Sequence, residues 1–229
     1  MKAKRSAGLF LLLVFLGECS VRPPVITLPR GPVDRIEGYA SLSLNSAQVS
    51  SRGKVSFVFS LPQKGRMEGF GPLGRSLYQI VIEEESGVFI FPSKKVYWRG
   101  RAEEIVEKFL GFPLRLDEMI GLLTGRWDEV LAGRIQAPSG PQWILDKDRE
   151  GKVLSGRRDE VRFEIKEFFG GTGVPRILLF KNSSGSGRLK ILRIGFNRPL
   201  KSRVFDLTFL EDFQSKSWTE IETIIRDEN

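Results

Sequence analysis

The chain is expected to fold as a mainly β (α+β) domain: an antiparallel β half-barrel, covered on its concave face by two or three α-helices and enclosing a hydrophobic cavity. Three observations point there. From Asp34 onward, ten or so short runs alternate apolar and polar residues between Gly, Pro and Ser punctuation, the pattern of a meander that curls into a whole or partial barrel. Two stretches in the middle change to a helical period. Several strands are apolar on both faces, so something beyond a bare single-layer sheet must cover them.

The elements follow in order. Strands are expected at Arg35–Leu44 and at Lys54–Leu61, the second placing Val55, Phe57, Phe59 and Leu61 on one face. Gly65–Gly71, Arg75–Glu83, Val88–Phe91 and Lys94–Trp98 come next, with short connections. Helices are expected at Arg101–Leu110, where Ile105, Val106, Phe109 and Leu110 form a stripe, and near Leu116–Leu123, closed by Gly125. Both are amphipathic and need an apolar partner surface, which the concave sheet face supplies. Strands resume at Glu160–Phe168, Val174–Lys181, Arg188–Phe196 and Arg203–Phe209. The segment Trp218–Arg226, with Ile221, Ile224 and Ile225, is expected as a helix on the outside of the sheet. Extra burial by a helix outside or a ligand inside is required by the doubly apolar runs Leu77–Ile82, Val88–Phe91 and Ile177–Phe180.

Composition narrows the function. The 229 residues are 41% hydrophobic and 28% charged, a globular balance for one generous domain. Seventeen Phe against three Tyr supply apolar area without a polar handle, suited to a core or a lipid-lined cavity. There is no His and one Cys, which removes the usual general base, the commonest zinc ligand and any internal disulfide. An enzyme is therefore not expected, and neither is a cofactor or a metal site. The formal charge is +8, a modest excess that suits anionic headgroups or an acidic partner. The charges are spread along the strands and gathered into no block, so nucleic acid is not an expected ligand.

The first residues are an address. Lys2, Lys4 and Arg5 precede an apolar run from Gly8 to Gly17, the build of a secretory signal peptide, too short to span a bilayer. The sole cysteine, Cys19, follows directly, and the arrangement resembles the lipobox of bacterial lipoproteins; it departs from that pattern in having Glu18 where a small residue is usual. The resemblance implies a lipid-modified (palmitate-bearing) Cys19, and Ser20 after it is compatible with outer-membrane sorting. Residues 1–18 are thus expected as signal peptide and 19–34, with Pro23, Pro24, Pro29 and Pro32, as a lipidated extended tether. Residues 35–229 form the domain.

Other signals are weak. Gly170-Gly171-Thr172-Gly173 precedes Pro175 and a strand, not a helix, and is a turn, not a phosphate cradle. Asn182-Ser183-Ser184 matches a glycosylation sequon inside a Ser/Gly hairpin. Glu83-Glu84-Glu85 is a charged loop without the opposed walls that paired catalytic carboxylates need.

Taken in order, the motifs resemble those of the LolB-like outer-membrane lipoprotein receptors of the LolA/LolB superfamily. The likeness is carried by Phe70-Gly71-Pro72-Leu73-Gly74-Arg75-Ser76-Leu77, by Ala102–Leu110, by Leu110-Gly111-Phe112-Pro113-Leu114-Arg115-Leu116-Asp117, and by Leu122-Leu123-Thr124-Gly125. Val174-Pro175-Arg176-Ile177-Leu178-Leu179 and Leu189-Lys190-Ile191 complete it. It spans about residues 36–196 and leaves those beyond about Pro199 unmatched. The resemblance implies a monomeric receptor, anchored in the outer membrane and facing the periplasm. Such a receptor takes lipoproteins from a LolA-like periplasmic carrier by binding their acyl chains and inserts them into outer-membrane lipid. It assigns the Pro72, Leu73, Gly74 loop to membrane insertion, and Gly71-Pro72-Leu73-Gly74 is independently a β-turn signature projecting Leu73 at a hairpin tip. Phe57, Phe59, Tyr78, Ile80, Phe89, Ile105, Phe109, Ile120 and Leu123 are expected to line the acyl-chain cavity. Two alternatives keep the fold: a carrier or sensor of another lipid, and a structural envelope lipoprotein without a ligand.

Overall fold

The computed structural model describes residues 26, 28, 31–46, 50–71, 73–127 and 142–226. The expected signal peptide, Cys19 and much of the tether lie outside the described residues, as does Pro72. The elements are β1 (Arg35–Ser46), β2 (Ser50–Ser60), β3 (Lys64–Phe70), β4 (Ser76–Glu83), β5 (Ser86–Phe91), β6 (Val96–Arg101), α1 (Ala102–Leu110) and α2 (Leu116–Thr124). The second half holds β7 (Ile144–Lys147), β8 (Val153–Arg158), β9 (Val161–Phe168), β10 (Pro175–Lys181), β11 (Gly185–Phe196), β12 (Gln214–Ser215) and α3 (Trp218–Arg226).

The twelve strands make one open sheet in the order β12-β6-β5-β4-β3-β2-β1-β11-β10-β9-β8-β7. All neighbours are antiparallel except β12, which runs parallel to β6. It is a curved sheet with two edges, not a closed barrel. The long β1–β11 pair, from Ile36 opposite Phe196 to Ser46 opposite Gly185, joins the two halves of the chain along its middle. Its register defines a lower end, where β1 begins and β11 finishes, and an upper end. The β3–β4 turn and the β10–β11 hairpin are both at the upper end.

Period-two alternation sorts the faces. Val55, Phe57 and Phe59 are buried while Lys54, Ser56 and Val58 between them are not. The inner face carries the main core, which includes Ile36, Phe59, Ile80, Ile105, Ile191 and Ile221, all fully buried. Helices α1 and α2 lie on this face, and each ends at a left-handed glycine, Gly111 or Gly125, where a side chain would be strained.

The C-terminal segment departs from expectation in two ways. Residues Arg203–Phe209 are not a strand. They form turns closed by Val204 N–H to Lys201 O and Asp206 N–H to Arg203 O, and run into a 3-10 turn at Thr208–Asp212. The alternation of Phe205, Leu207 and Phe209 mimics a strand, yet Phe205, Leu207, Leu210 and Phe213 instead pack as a patch on Val81, Val88 and Ile90 of the outer face. Arg66 pins this patch by donating to the Val204 carbonyl at 2.9 Å. The chain then passes the β6 edge as β12 and returns as α3. That helix lies on the inner side, not outside: Trp218 meets Phe89 and Trp98, and Ile221 is fully buried in the main core. Residues 203–226 thus clasp one edge of the sheet from both faces. This explains the doubly apolar β4 and β5 without a ligand. Strands β7 and β8 are absent from the sequence expectation: β7 is short and largely exposed, and β8, though partly buried, has only Val153 and Leu154 as large apolar residues, so neither alternates in sequence.

Candidate functional site

Between the upper half of the inner face and the connection from α1 to α2 lies a cavity of about 90 Å³. Its floor comes from β1, β2, β9, β10 and β11 (Leu42, Phe57, Phe163, Phe180, Leu189), its roof from Phe109, Phe112 and Leu123. Every lining side chain is apolar or aromatic. Large rings lie flat on this floor because glycines face them. A Cβ at Gly187 would stand 2.1 Å from the Phe180 ring, and one at Gly156 would stand 2.4 Å from that of Phe163. Both glycines sit directly opposite those rings in the strand register.

The volume matters. An apolar cavity of about 150 Å³ accepts one benzene, so the present space is too small for a fatty tail. Entry requires the roof to lift. The roof is held by the Phe112–Phe180 ring contact at 5.3 Å and by Asn182, whose Nδ2 donates to the Gly111 carbonyl at 2.8 Å.

Helix α2 is pinned more firmly. Glu118, 1% exposed, accepts from Arg158 Nη1 at 2.5 Å and from Arg115 Nη2 at 3.1 Å, and its other oxygen accepts from the Arg115 backbone N–H at 2.9 Å. Arg158 also donates to the Pro113 carbonyl and lies over the Trp143 ring. A carboxylate in this setting is tolerated only because its charge and lone pairs are met. The arrangement escaped sequence reading; the available signal was Glu118 three residues after Arg115, amid the apolar residues of α2. Tyr78 is the other buried titratable group of note. Burial pushes its phenol pKa up, so it remains neutral and brings no charge inside.

Of the nine residues expected at the cavity, Phe57, Phe59, Phe109 and Leu123 line it. Tyr78, Ile80, Phe89, Ile105 and Ile120 belong to the same core but lie off the cavity. Tyr78 is packed between Phe89 and Phe109, and Phe89 is covered by Trp218 of α3. Strand and helix faces place these five residues on the inner side, but α3, expected outside, fills the space beside them through Trp218. Leu73 stands at the tip of the β3–β4 turn, 86% exposed. The turn is closed by the Gly74 N–H donating to Gly71 O at 3.0 Å, with Gly74 at φ +73°, which suits glycine. Among the described residues no cluster of His, Cys, Asp and Glu is arranged to hold a metal, and no helix is long and apolar enough to cross a membrane.

No family model and no curated protein matches the chain. Solved structures do. A LolA superfamily protein from Nitrosomonas europaea aligns over 79% of this chain and 93% of its own, at 11% identity and a TM-score of 0.48. A domain from Vibrio parahaemolyticus, named as an outer membrane lipoprotein-sorting protein, aligns over 77% and 91%, at 10% identity and a TM-score of 0.48. A DUF1329 family protein from Desulfovibrio piger aligns over 78% and 92%, at 8% identity and a TM-score of 0.54. With an identity this low, what the last likeness establishes is a shared fold: a curved, open, mostly antiparallel sheet with helices on its inner face.

Proposed function

We propose that this chain is a lipid-anchored receptor of the LolB type, which takes the acyl chains of lipoproteins from a periplasmic carrier and passes them to the outer membrane. It does no bond chemistry. The observation that carries the reading is an entirely apolar cavity under a helix-to-helix roof, at the same end of the sheet as the exposed Leu73. The ordered motifs shared with LolB-like receptors and the placement of Cys19 support it.

The physics of transfer follows from burial. Each methylene taken out of water is worth roughly 0.8 kcal/mol, so an acyl chain moves only between apolar surfaces in near contact. The roof must therefore open by parting Phe112 from Phe180 and Asn182 from Gly111, while Glu118 and Arg158 keep α2 seated. Widening exposes Phe57, Phe163 and Phe180 as a continuous greasy floor for the chain.

The test is transfer of a lipidated cargo from a LolA-like carrier to the anchored protein in vesicles. Cargo is expected to leave the carrier and appear in the bilayer. Co-purification of phospholipid alone, with no acceptance of cargo, would favour a carrier or sensor of another lipid; no bound lipid under any condition would leave a structural role.

A further inference from the structure

The outer face of the sheet gathers cations that stand far apart in the sequence. Arg157, Arg162 and Lys181 are exposed and lie directly opposite one another across β8, β9 and β10. One step along the strands, Arg188 and Arg52 flank Ser43 across β11, β1 and β2. Like charges directly opposite on neighbouring strands destabilise a sheet. No carboxylate partners these five residues among the described residues. Of the carboxylates near the same surface, Glu164 is already held by Lys166, Asp146 lies on the edge strand β7, and Asp159 and Glu160 stand exposed in the β8–β9 turn at the end of the row, where neither forms an ion pair with it. Arg157, Arg162, Lys181 and Arg188 border an open depression of about 950 Å³ that is also lined by Leu179 and Ile144, the latter 61% exposed. The Arg157–Arg162–Lys181 row abuts the upper-end turns, the same end as Leu73.

We infer that this basic upper rim of the outer face is a docking surface for an anionic bilayer, its guanidinium and ammonium groups meeting lipid phosphates while Leu73 and Ile144 touch the apolar layer. A repulsive row to which no neighbouring carboxylate is paired calls for an external anion. The apolar side chains beside it distinguish a lipid surface from a purely ionic partner. Arg forks match phosphate oxygens in pairs, and the charge draws the domain to the membrane over about a Debye length. The inference rests on the receptor reading for its purpose but not for its measurement.

The experiment uses the full, membrane-anchored chain in vesicles, with a donor fluorophore on Ser186→Cys, opposite Lys181, and an acceptor on lipid headgroups. Protein labelled without that substitution gives the background from Cys19. Because the anchor alone gives a basal signal, energy transfer is expected to rise above the phosphatidylcholine level when phosphatidylglycerol is mixed in, and to return to that level at about 1 M salt, where the Debye length is about 3 Å. Each near-surface cation strengthens association about fivefold. The combined Arg157→Gln, Arg162→Gln, Lys181→Gln variant should therefore weaken docking on the order of 100-fold. Arg162→Glu alone should lose docking while melting no lower than the parent, because it relieves the repulsive row; a merely structural role would lower its melting point. Transfer indifferent to phosphatidylglycerol and salt would overturn the inference and leave the cations to an acidic protein. Acyl uptake is read separately with a fluorescent fatty acid: its absence would sink the receptor reading without touching the docking result.

Discussion

Glu118 is the only charged side chain in the buried set of the described residues, and its surroundings say which part of the roof stays put. Removing one member of a buried ion pair leaves a charge without compensation and costs about 3–5 kcal/mol. Glu118→Leu, which leaves Arg158 without its carboxylate, is therefore expected to destabilise by about that much in urea unfolding, and adding Arg158→Met to recover part of it. A single variant costing under about 1 kcal/mol would mean that the pair does not hold α2. Leu73 sits at the opposite extreme. At 86% exposure it contributes nothing to the core, so Leu73→Glu should shift stability by no more than about 0.5 kcal/mol. Cargo should still be accepted from the carrier, while the roughly 1.5–3 kcal/mol that one buried leucine gives to bilayer contact is lost and delivery fails. Unchanged delivery would remove Leu73 from the proposed mechanism.

Among the elements, α3 carries an acid-sensitive cap. Ser217 and Glu220 cap its first turn: the Glu220 carboxylate accepts from the Ser217 N–H and hydroxyl, both at 2.8 Å, and pairs with Lys216 at 3.0 Å. These contacts, the Ser217 backbone bond first, lower the Glu220 pKa from 4.5 to about 2. A depressed pKa means stabilisation that is complete above 4.5 and lost as pH falls toward about 2. Trp218 fluorescence should report loosening of α3 in that window, and Glu220→Gln should abolish the transition; a Trp218 signal flat from pH 5 to 2 would deny the cap its role. Truncation after Pro199 should bare Val81, Val88 and Ile90 outside and Phe89 inside, and turn the protein into a strong binder of hydrophobic dye. The elements that could be read from sequence were those with one face buried, such as Val55–Phe59, where burial imposes period two. Edge strand β7 could not, since exposure removes that constraint, and β8, with Ser155 and Gly156 at its middle, has too few apolar residues to alternate. Phe205 and Leu207 misled for the converse reason: they are buried by a side-on contact with β4 and β5, and their alternation has no strand behind it. Four of the nine residues expected at the cavity line it: Phe57 and Phe59 were legible from strand alternation, Phe109 and Leu123 from the apolar stripes of the two helices. The cavity's far wall, Phe163 and Phe180, was not, because only the β9–β10–β11 register and the facing glycines bring those rings under the roof.

At the scale of the whole molecule, the proposed membrane contact would combine three attachments: the expected anchor at Cys19, the Leu73 tip and the basic upper rim. The cations of that rim are scattered over residues 52–188, which is why the sequence shows no block of charge and only the strand register assembles one. The fold takes hold of the chain early. Ile26 packs against the core, and Asn197 grips the entry to β1 through Pro32, Asp34 and Arg35. The leash from Cys19 to Ile26 is then seven residues, with a reach of roughly 25 Å at most. Because the leash joins at the lower end, where β1 begins, so short a leash brings Leu73 and the cations to the bilayer with the outer face of the sheet laid along it. Once the leash spans that geometry, their effective concentration falls as about the −3/2 power of its length. Inserting about twenty Gly/Ser residues after Ser20 should lower it roughly eightfold. The expected outcome is not additive. With the native leash, neutralising Arg157, Arg162 and Lys181 should slow delivery only moderately, because the anchor returns the domain to the surface. With the long leash, the same substitutions should nearly abolish delivery, and raised salt should mimic them. Delivery rates measured for the four combinations decide the matter: if the long leash leaves the effect of the three substitutions unchanged, anchor and rim do not share the work of holding the domain to the membrane.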